Sequence, residues 1–461
     1  DGLGQVVEVP LFDATFSAIG YRVGGDTLAG DPRALARMLG VTRQFECKDG
    51  RWFMYHAGNK NAPDFLAATG AEWLLPGEVD KLSMEELRDR TEALFKTRTA
   101  EEWEAFCEGV GTEGSVCRTS SEWLDNEHAL GSQIIIDSTD PELGRFRGPG
   151  INVRMSETPG VIRGPRPAPD AHRDEILASL PAPKPSPLNP VETMRAALDG
   201  IKVVDLCIVL AGPTCGRTLA EFGADVVRID SPHRAQIAFH NDINRGKRSI
   251  LLDLKQPEGL DVFWRLVDGA DVVVQNFRRG IADKLGIGYE AVRARRPDIV
   301  YASLNTYGQI GPWANRPGHE QIAQAASGMQ ERYGGDERPV LAPFAVNDYG
   351  TGFMGAYGVA LALLERQRTG KGQHIDTALA YTATMLQSLY LHDFEGKRWD
   401  EPRGQDAIGS GPLNRAYACS DGWIFVACRP GELRAAGLGD SEAELEAAFA
   451  RDTRAAWLAK L

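Results

Sequence analysis

Asp348 stands in Val346-Asn347-Asp348-Tyr349-Gly350-Thr351-Gly352, directly ahead of a run from Phe353 to Leu364 dominated by Gly, Ala, Val and Leu. That run predicts a buried helix of small residues, with Asp348 at or near its start. An Asp there is a preferred N-cap, accepting a backbone N–H. The same place suits a second role. The helix dipole and free N–H groups favour an ionised carboxylate, and a desolvated carboxylate beside an acyl thioester is a nucleophile. Backbone N–H groups nearby would stabilise the oxyanion, and Gly350 and Gly352 read as room for a substrate against the backbone. A second pair, His319-Glu320, lies in Arg316-Pro317-Gly318-His319-Glu320-Gln321 ahead of the helical run Ile322 to Met329. An imidazole beside a carboxylate at a helix entry can move protons or can be a structural pair.

Cations gather at Asn244-Arg245-Gly246-Lys247-Arg248-Ser249-Ile250 and Leu252-Asp253-Leu254-Lys255. They flank a short strand and read either as a grip on the phosphates of a nucleotide-containing cofactor or as a solvated basic loop.

These groups need a frame to hold them. Apolar runs at Ile201 to Leu206, Asp225 to Ile229, Asp271 to Val274 and Ile299 to Leu304 predict strands. Helical patterns separate them, from Ala211 through Phe222, Gly259 to Val267 and Tyr289 to Arg295. The alternation predicts an α/β fold, a Rossmann-like open parallel sheet with helices, plus a smaller α+β domain. The first strand-to-helix turn holds Gly212 and Gly216 without the G-x-G-x-x-G pattern, so Asp230 closing the second strand is not read as a dinucleotide ribose ligand.

With 461 residues the chain exceeds one ordinary core, and two or three domains are expected. A formal net charge of -13 argues against nucleic acid or an anionic membrane as the main partner. The seven cysteines, at 47, 107, 117, 207, 215, 419 and 428, form no CxxC pair and have no clustered His. They read as free thiols in a reducing, cytoplasmic setting, with no metal site. No apolar run approaches the ~20 residues that span a bilayer, and no secretory signal is evident. The chain opens on Asp1, which reads as processing or as a piece of something longer.

An internal repeat favours the second. Gly4-Gln5-Val6-Val7-Glu8-Val9-Pro10-Leu11 is strand-like and leads into an apolar stretch, as does Gly372-Gln373-His374-Ile375-Asp376-Thr377-Ala378-Leu379. Cys47-Lys48-Asp49-Gly50 precedes Trp52-Phe53-Met54-Tyr55, and Cys419-Ser420-Asp421-Gly422 precedes Trp423-Ile424-Phe425-Val426. Phe95 and Trp103 sit eight apart on a helical pattern, as do Phe449 and Trp457. Three landmarks in one order predict a tandem duplication with a period of about 370 residues, too long for a solenoid. Residues 1–180 would be the C-terminal half of an upstream repeat, and 181–198 a stiff proline-rich linker around Pro181 to Pro187. Residues 199–395 would be the Rossmann-like part of the second repeat, and 396–461 the start of its small domain.

Taken together these segments resemble the class III CoA-transferases, the formyl-CoA and carnitine CoA-transferase group that includes the α-methylacyl-CoA racemases. The likeness runs through Asp205 to Pro213, Gly246-Lys247-Arg248-Ser249, Asp253 to Gly259, Asn276-Phe277, Pro317 to Gly328, Asp348 to Gly352 and Thr369-Gly370-Lys371-Gly372-Gln373. Residues 1–180 resemble the family's C-terminal half, including Asp49-Gly50 and Thr158-Pro159-Gly160. The resemblance implies that Asp348 is the nucleophile, forming a mixed anhydride and then an aspartyl-CoA thioester. It implies coenzyme A contacts at Val209, Ala211, Lys247, Arg248, Leu252, Lys255, Asn276, Phe277, Lys284 and Leu285, with Lys284 where the family can carry Arg. The implied substrates are an acyl-CoA and a small carboxylic acid, with no permanently bound cofactor. The assembly would be a homodimer or an intramolecular pseudo-dimer of the two repeats, in the family's interlocked architecture. His319, next to Glu320, falls where racemases carry a catalytic His, so a racemase using His319 and Asp348 is the alternative. A non-catalytic CoA-binding half is a third reading. The racemase element Glu-Pro-Gln-Phe is replaced by Arg429-Pro430-Gly431-Glu432, and Gln324-Ala325-Ala326-Ser327-Gly328 resembles transferases, which favours transfer.

Overall fold

The computed structural model describes residues 6–23, 41–56, 65, 68–75, 77–180, 196–234 and 240–461. Gly4, Gln5 and the prolines from Pro181 to Pro187 lie outside the described residues. The chain divides into two compact units, one of residues 1–330 with 341–395 and one of 331–340 with 396–461.

In the first unit, strands β1 (Arg43–Glu46), β2 (Trp52–His56) and β3 (Glu113–Val116) form an antiparallel sheet in the order β1-β2-β3. Helices α1 (Met84–Phe95) and α2 (Ala100–Val110) cover one face of it. Both start with a capping box, Ser83 with Glu86 and Thr99 with Glu102, which satisfies their leading N–H groups. Phe95 and Trp103 therefore lie on two helices rather than one. The Trp103 Nε1–H donates to the Phe95 carbonyl at 2.8 Å and closes the corner between them. A hairpin of β4 (Ile135–Asp140) and β5 (Gly144–Pro149) follows.

Next comes a seven-stranded sheet ordered β6-β12-β11-β10-β7-β8-β9. Its strands are β6 (Arg154–Met155), β7 (Lys202–Asp205), β8 (Asp225–Asp230), β9 (Arg248–Leu251), β10 (Val272–Gln275), β11 (Val300–Asn305) and β12 (His374–Ala378). All pairs are parallel except β6 on β12. Side chains alternate across the sheet, so Val272 and Val274 enter one core and Val273 the other. The first core is roofed by helices α3 (Ala211–Glu221) and α7 (Val346–Thr369), the second by α4 (Pro257–Asp268) and α5 (Tyr289–Arg295). This is the open α/β sheet expected from the alternating runs.

The helix α7 is longer than its apolar run, and glycines let it pack deeply. A Cβ on Gly352 would lie 2.5 Å from Thr214 Cβ and 2.7 Å from the Ala211 carbonyl oxygen, so α3 and α7 touch backbone to backbone there. A short helix, α6 (Glu320–Ala326), lies against β2 and β3. Met54, Trp123 and Ile135 share one core with Tyr307, Ile322 and Tyr381, so the N-terminal segment and the parallel sheet pack as one body.

The second unit holds β14 (Gly409–Gly411), β15 (Asn414–Cys419) and β16 (Gly422–Ala427), with α9 (Glu442–Phe449) and α10 (Arg454–Lys460). In between, α8 (Leu379–Leu386) follows β12, and β13 (Asp393–Phe394) adds to β5. The two small sheets repeat one pattern of hydrogen bonds. Trp457 Nε1–H donates to the Phe449 carbonyl at 3.0 Å, as Trp103 does to Phe95. Ser420 N–H meets the Asp452 carbonyl at 2.9 Å, and Lys48 N–H meets that of Arg98 at 2.9 Å. Asp421 accepts from the Arg454 amide, and Asp49 from that of Ala100. Ring stacking repeats too, Phe45 on Phe95 and Tyr417 on Phe449.

One sequence expectation is corrected. Residues 6–10 are not a strand, although the matching 374–378 is. A strand needs a neighbour, and among the described residues none pairs with 6–10. The helix Leu11–Val23 that follows does match α8 in its place after the segment.

Candidate active site

Parallel β11 and β12 with α7 between them put the start of α7 at the carboxyl edge of the sheet, where open α/β sheets carry their sites. Asp348 is the third residue of α7, and Ala345 holds the N-cap position without a side-chain bond. The capping expected of Asp348 is done instead by Glu320 from α6. Its Oε2 accepts the Asp348 N–H at 2.7 Å, and its Oε1 accepts the Asn347 N–H at 3.3 Å. Asn347 Nδ2 and Gln324 Nε2 each donate to Oε1 at 2.8 Å. Asp348 is thereby released from its own helix. The backbone N–H of Ala211, the first residue of α3, is near enough to favour the ionised form of the Asp348 carboxyl.

Burial pushes the Asp348 carboxyl well above its ordinary value, while the charge of His319 and the Ala211 N–H pull it back. Burial also raises Glu320, the nearby Asp348 charge raises it further, and its N–H donors oppose both. The first turn of α7 is anchored from another side, where the Tyr349 hydroxyl donates to Asp242 at 2.6 Å and Asp242 pairs with the buried Arg217 at 2.8 Å. Gly350 and Gly352 face Thr382 and α3, so their lack of a side chain serves helix packing rather than substrate approach.

His319 reaches across to β3. Its Nδ1 lies 2.7 Å from Glu113 Oε2, and His56 Nδ1 lies 2.9 Å from the same oxygen. Burial works against the Glu113 charge, but the His319 and His56 ring N–H groups overcome it and hold the carboxyl well below the usual range. For His319, burial disfavours the imidazolium, yet the charge and hydrogen bond of Glu113 and, to a smaller extent, the charge of Asp348 raise its basicity. Neither Glu113 nor His56 was legible as a site residue. Glu113 sits in an unremarked Gly-Thr-Glu-Gly stretch 206 positions from His319. The one signal was a polar residue, His56, ending the apolar run Trp52 to Tyr55.

The remaining predicted positions separate. Asn276 Oδ1 accepts the Ile208 N–H at 2.8 Å, and its Nδ2 donates to the Ile208 carbonyl at 2.6 Å. This grip holds Val209 at φ 67, a strained conformation for a β-branched residue, just before Ala211. Phe277, Leu285 and Leu252 are half-buried in the core beneath α4 and α5, while Lys255 and Lys284 are exposed. Leu252, Lys255 and Phe277 follow strands at the carboxyl edge, and Lys284 and Leu285 end the short helix Ile281–Lys284 beyond β10. Lys247 is elsewhere engaged, because its side chain is 1% exposed and its ammonium donates to Asp205, to the Pro213 carbonyl and to Asn244. Arg248 opens β9 at the opposite, amino edge and pairs with Asp225 at 2.7 Å. All seven cysteines are free, and among the described residues no helix is long and apolar enough to cross a membrane.

Comparison with known proteins gives this geometry a context. The chain is 39% identical to human alpha-methylacyl-CoA racemase over 54% of its own length and 66% of the racemase. It is 40% identical to the succinate–glutarate CoA-transferase of Agrobacterium fabrum over 40% of its length and 51% of that enzyme. Against the CoA-transferase/lyase DddD of Marinomonas sp. the identity is 28%, over 75% of this chain and 44% of that protein. The chain thus spans 44% to 66% of the length of these relatives. The solved structure of Rv3272 from M. tuberculosis superposes with a TM-score of 0.50 at 28% identity, covering 57% of this chain and 81% of the other. The profile described as CoA-transferase family III matches residues 1–173 and 198–461, leaving only the proline-rich segment between them. The chain belongs to CoA-transferase family III.

Proposed function

We propose that the chain transfers coenzyme A from an acyl-CoA to a carboxylic acid, with Asp348 as the residue that is covalently acylated. The Asp348 carboxylate attacks the thioester carbonyl and expels the CoA thiolate, leaving a mixed anhydride. The thiolate then attacks the Asp348 carbonyl and releases the donor acid, giving an aspartyl-CoA thioester. The acceptor carboxylate repeats the two steps in reverse, leaving as its CoA thioester and restoring Asp348. The observation that carries this reading is that Glu320 caps α7, which leaves the buried Asp348 carboxylate free for chemistry. The Ala211 N–H at the start of α3 is a donor for the developing oxyanion. Contacts from Val209, Leu252, Lys255, Asn276, Phe277, Lys284 and Leu285 would hold the coenzyme along the carboxyl edge. Incubation with acyl-CoA and hydroxylamine should inactivate the enzyme and leave a hydroxamate on the Asp348 peptide in mass spectrometry. Asp348→Asn should lower thioester exchange by at least about 10³-fold; full exchange in that variant ends the proposal.

A second reading has its own support in the His319–Glu113 pair. An imidazole oriented by a carboxylate, across from Asp348, suits proton transfer at the carbon next to a thioester carbonyl. It predicts deuterium uptake at that carbon in D₂O, which an acyl-transfer site alone would not catalyse.

The matched hydrogen bonds of the two small sheets support a tandem pair. Residues 1–180 then belong to a first repeat and complete the site of the second. In this chain Trp52 and Met54 on β2 pack in the core beside α6, whereas the same face of β16 leaves Trp423 60% and Phe425 61% exposed. The occupant of that second face would be the large α/β domain of the first repeat, which makes the assembly an intramolecular pseudo-dimer.

A further inference from the structure

His56 takes part in neither reading, yet it converges on the same oxygen as His319. The two Nδ1 atoms lie 2.9 and 2.7 Å from Glu113 Oε2, and the rings are 4.9 Å apart and inclined at 41°. An ionised carboxylate only accepts, so each Nδ1 carries a proton and each Nε2 is left as an acceptor. The Glu113 side chain is 6% exposed and that of His56 14%, while His319 keeps 35%, so His319 is the ring open to a substrate.

We propose that His56 is a positioning residue which, through Glu113, fixes the ring orientation and proton position of His319 for proton transfer at the α-carbon of an acyl-CoA. This rests on the second reading above. In the step, His319 Nε2 takes the α-proton, and the C–H electron pair passes into the thioester enolate. The imidazolium keeps its Nδ1–H on Glu113, and no proton reaches Glu113 or His56. Sharing one oxygen between two donors divides its pull, so His56 restrains how strongly Glu113 holds the charged form of His319. Among the described residues, the charged and titratable groups facing His319 are Glu113 on β3, His56 on β2, Asp348 on α7, the adjacent Glu320, and Arg234 beyond β8. Tyr55 and Tyr307 face Glu113 from other sides. Counted from Trp52 on β2 and Trp423 on β16, the residue matching His56 in the other small sheet is Ala427, which has no ring to offer.

The test is ¹⁵N-histidine NMR on the full chain, for the parent, His56→Phe, His56→Gln and Glu113→Gln. Alongside it, α-deuterium exchange into a 2-methyl-branched acyl-CoA is followed against pH. The parent should show His319 protonated at Nδ1 when neutral. In His56→Phe its titration midpoint should rise by about half to one pH unit, and in Glu113→Gln it should fall by about one or more. His56→Gln, which keeps an N–H donor, should stay near the parent. The kcat for exchange should drop about tenfold in His56→Phe with KM little changed, and its acid limb should move with the NMR midpoint. An unchanged His319 titration in His56→Phe overturns the proposal, as does a stoichiometric divalent metal ion in the purified protein. Absence of exchange in the parent would defeat the second reading, while the NMR titrations would still decide whether His56 acts on His319.

Discussion

Glu320 and Glu113 are both buried carboxylates, and they do opposite work. Glu320 is a cap supplied by another helix, taking the N–H groups that α7 leaves open. Glu320→Ala should strand the Asn347 and Asp348 N–H groups away from water and destabilise the protein by about 3 kcal/mol in urea unfolding. Glu113 is one half of an ion pair, and its contribution should depend on pH from both sides. The folded Glu113 carboxyl lies below its ordinary 4.5, so its stabilisation is present above that value and is lost as pH falls through the folded one. His319 lies above its ordinary 6.5, so its share is whole below that value and is lost as pH rises through the folded one. The stability difference between the parent and Glu113→Gln should therefore be widest between about pH 5 and 6. A size of about 2 kcal/mol is expected, less than for a fully buried pair because the His319 ring stays partly in water. A flat difference from pH 3 to 9 would remove the ion pair from consideration.

The helix α7 shows what an element must do to serve such residues. Small residues let it sit so closely against α3 that a Cβ on Gly352 would meet the Ala211 carbonyl, which brings the start of α3 near Asp348. Gly352→Ala should cost about 1–3 kcal/mol, since its Cβ would meet Thr214 and the Ala211 carbonyl, and it should depress activity by moving the two helix starts apart. Gly370→Ala, at φ 72 with open space around it, should cost stability alone. Elements of this kind were largely legible. The apolar runs gave β7, β8, β10 and β11, and Asp348 and His319 were singled out from their places ahead of helical runs. The illegible part is long-range. Spacing of eight between Phe95 and Trp103 looks helical on one axis, but a tight corner between two helices produces it as well. Asp348 could be taken for a cap because local sequence does not reveal that Glu320, 28 positions away, fills that role. Glu113 and His56 enter the site only when β2 and β3 dock beside α6, and no local periodicity encodes that contact.

At the scale of the whole molecule, one polypeptide carries two versions of a small sheet. The first lies against α6 beside Asp348. The second leaves Trp423 and Phe425 bare in the chain. Trp423 is 60% exposed, so hydroxyl-radical footprinting should oxidise it far faster than the buried Trp103 and Trp123; protection of Trp423 would show that another surface covers it. The two sheets are not equivalent in chemistry, for His56 in one is matched by Ala427 in the other. A homodimer encoded by a single gene copy must accept every substitution twice, once in each half. In the proposed tandem arrangement, joining the halves end to end lifts that constraint, so the position of His56 in one half is free to differ from that of Ala427 in the other.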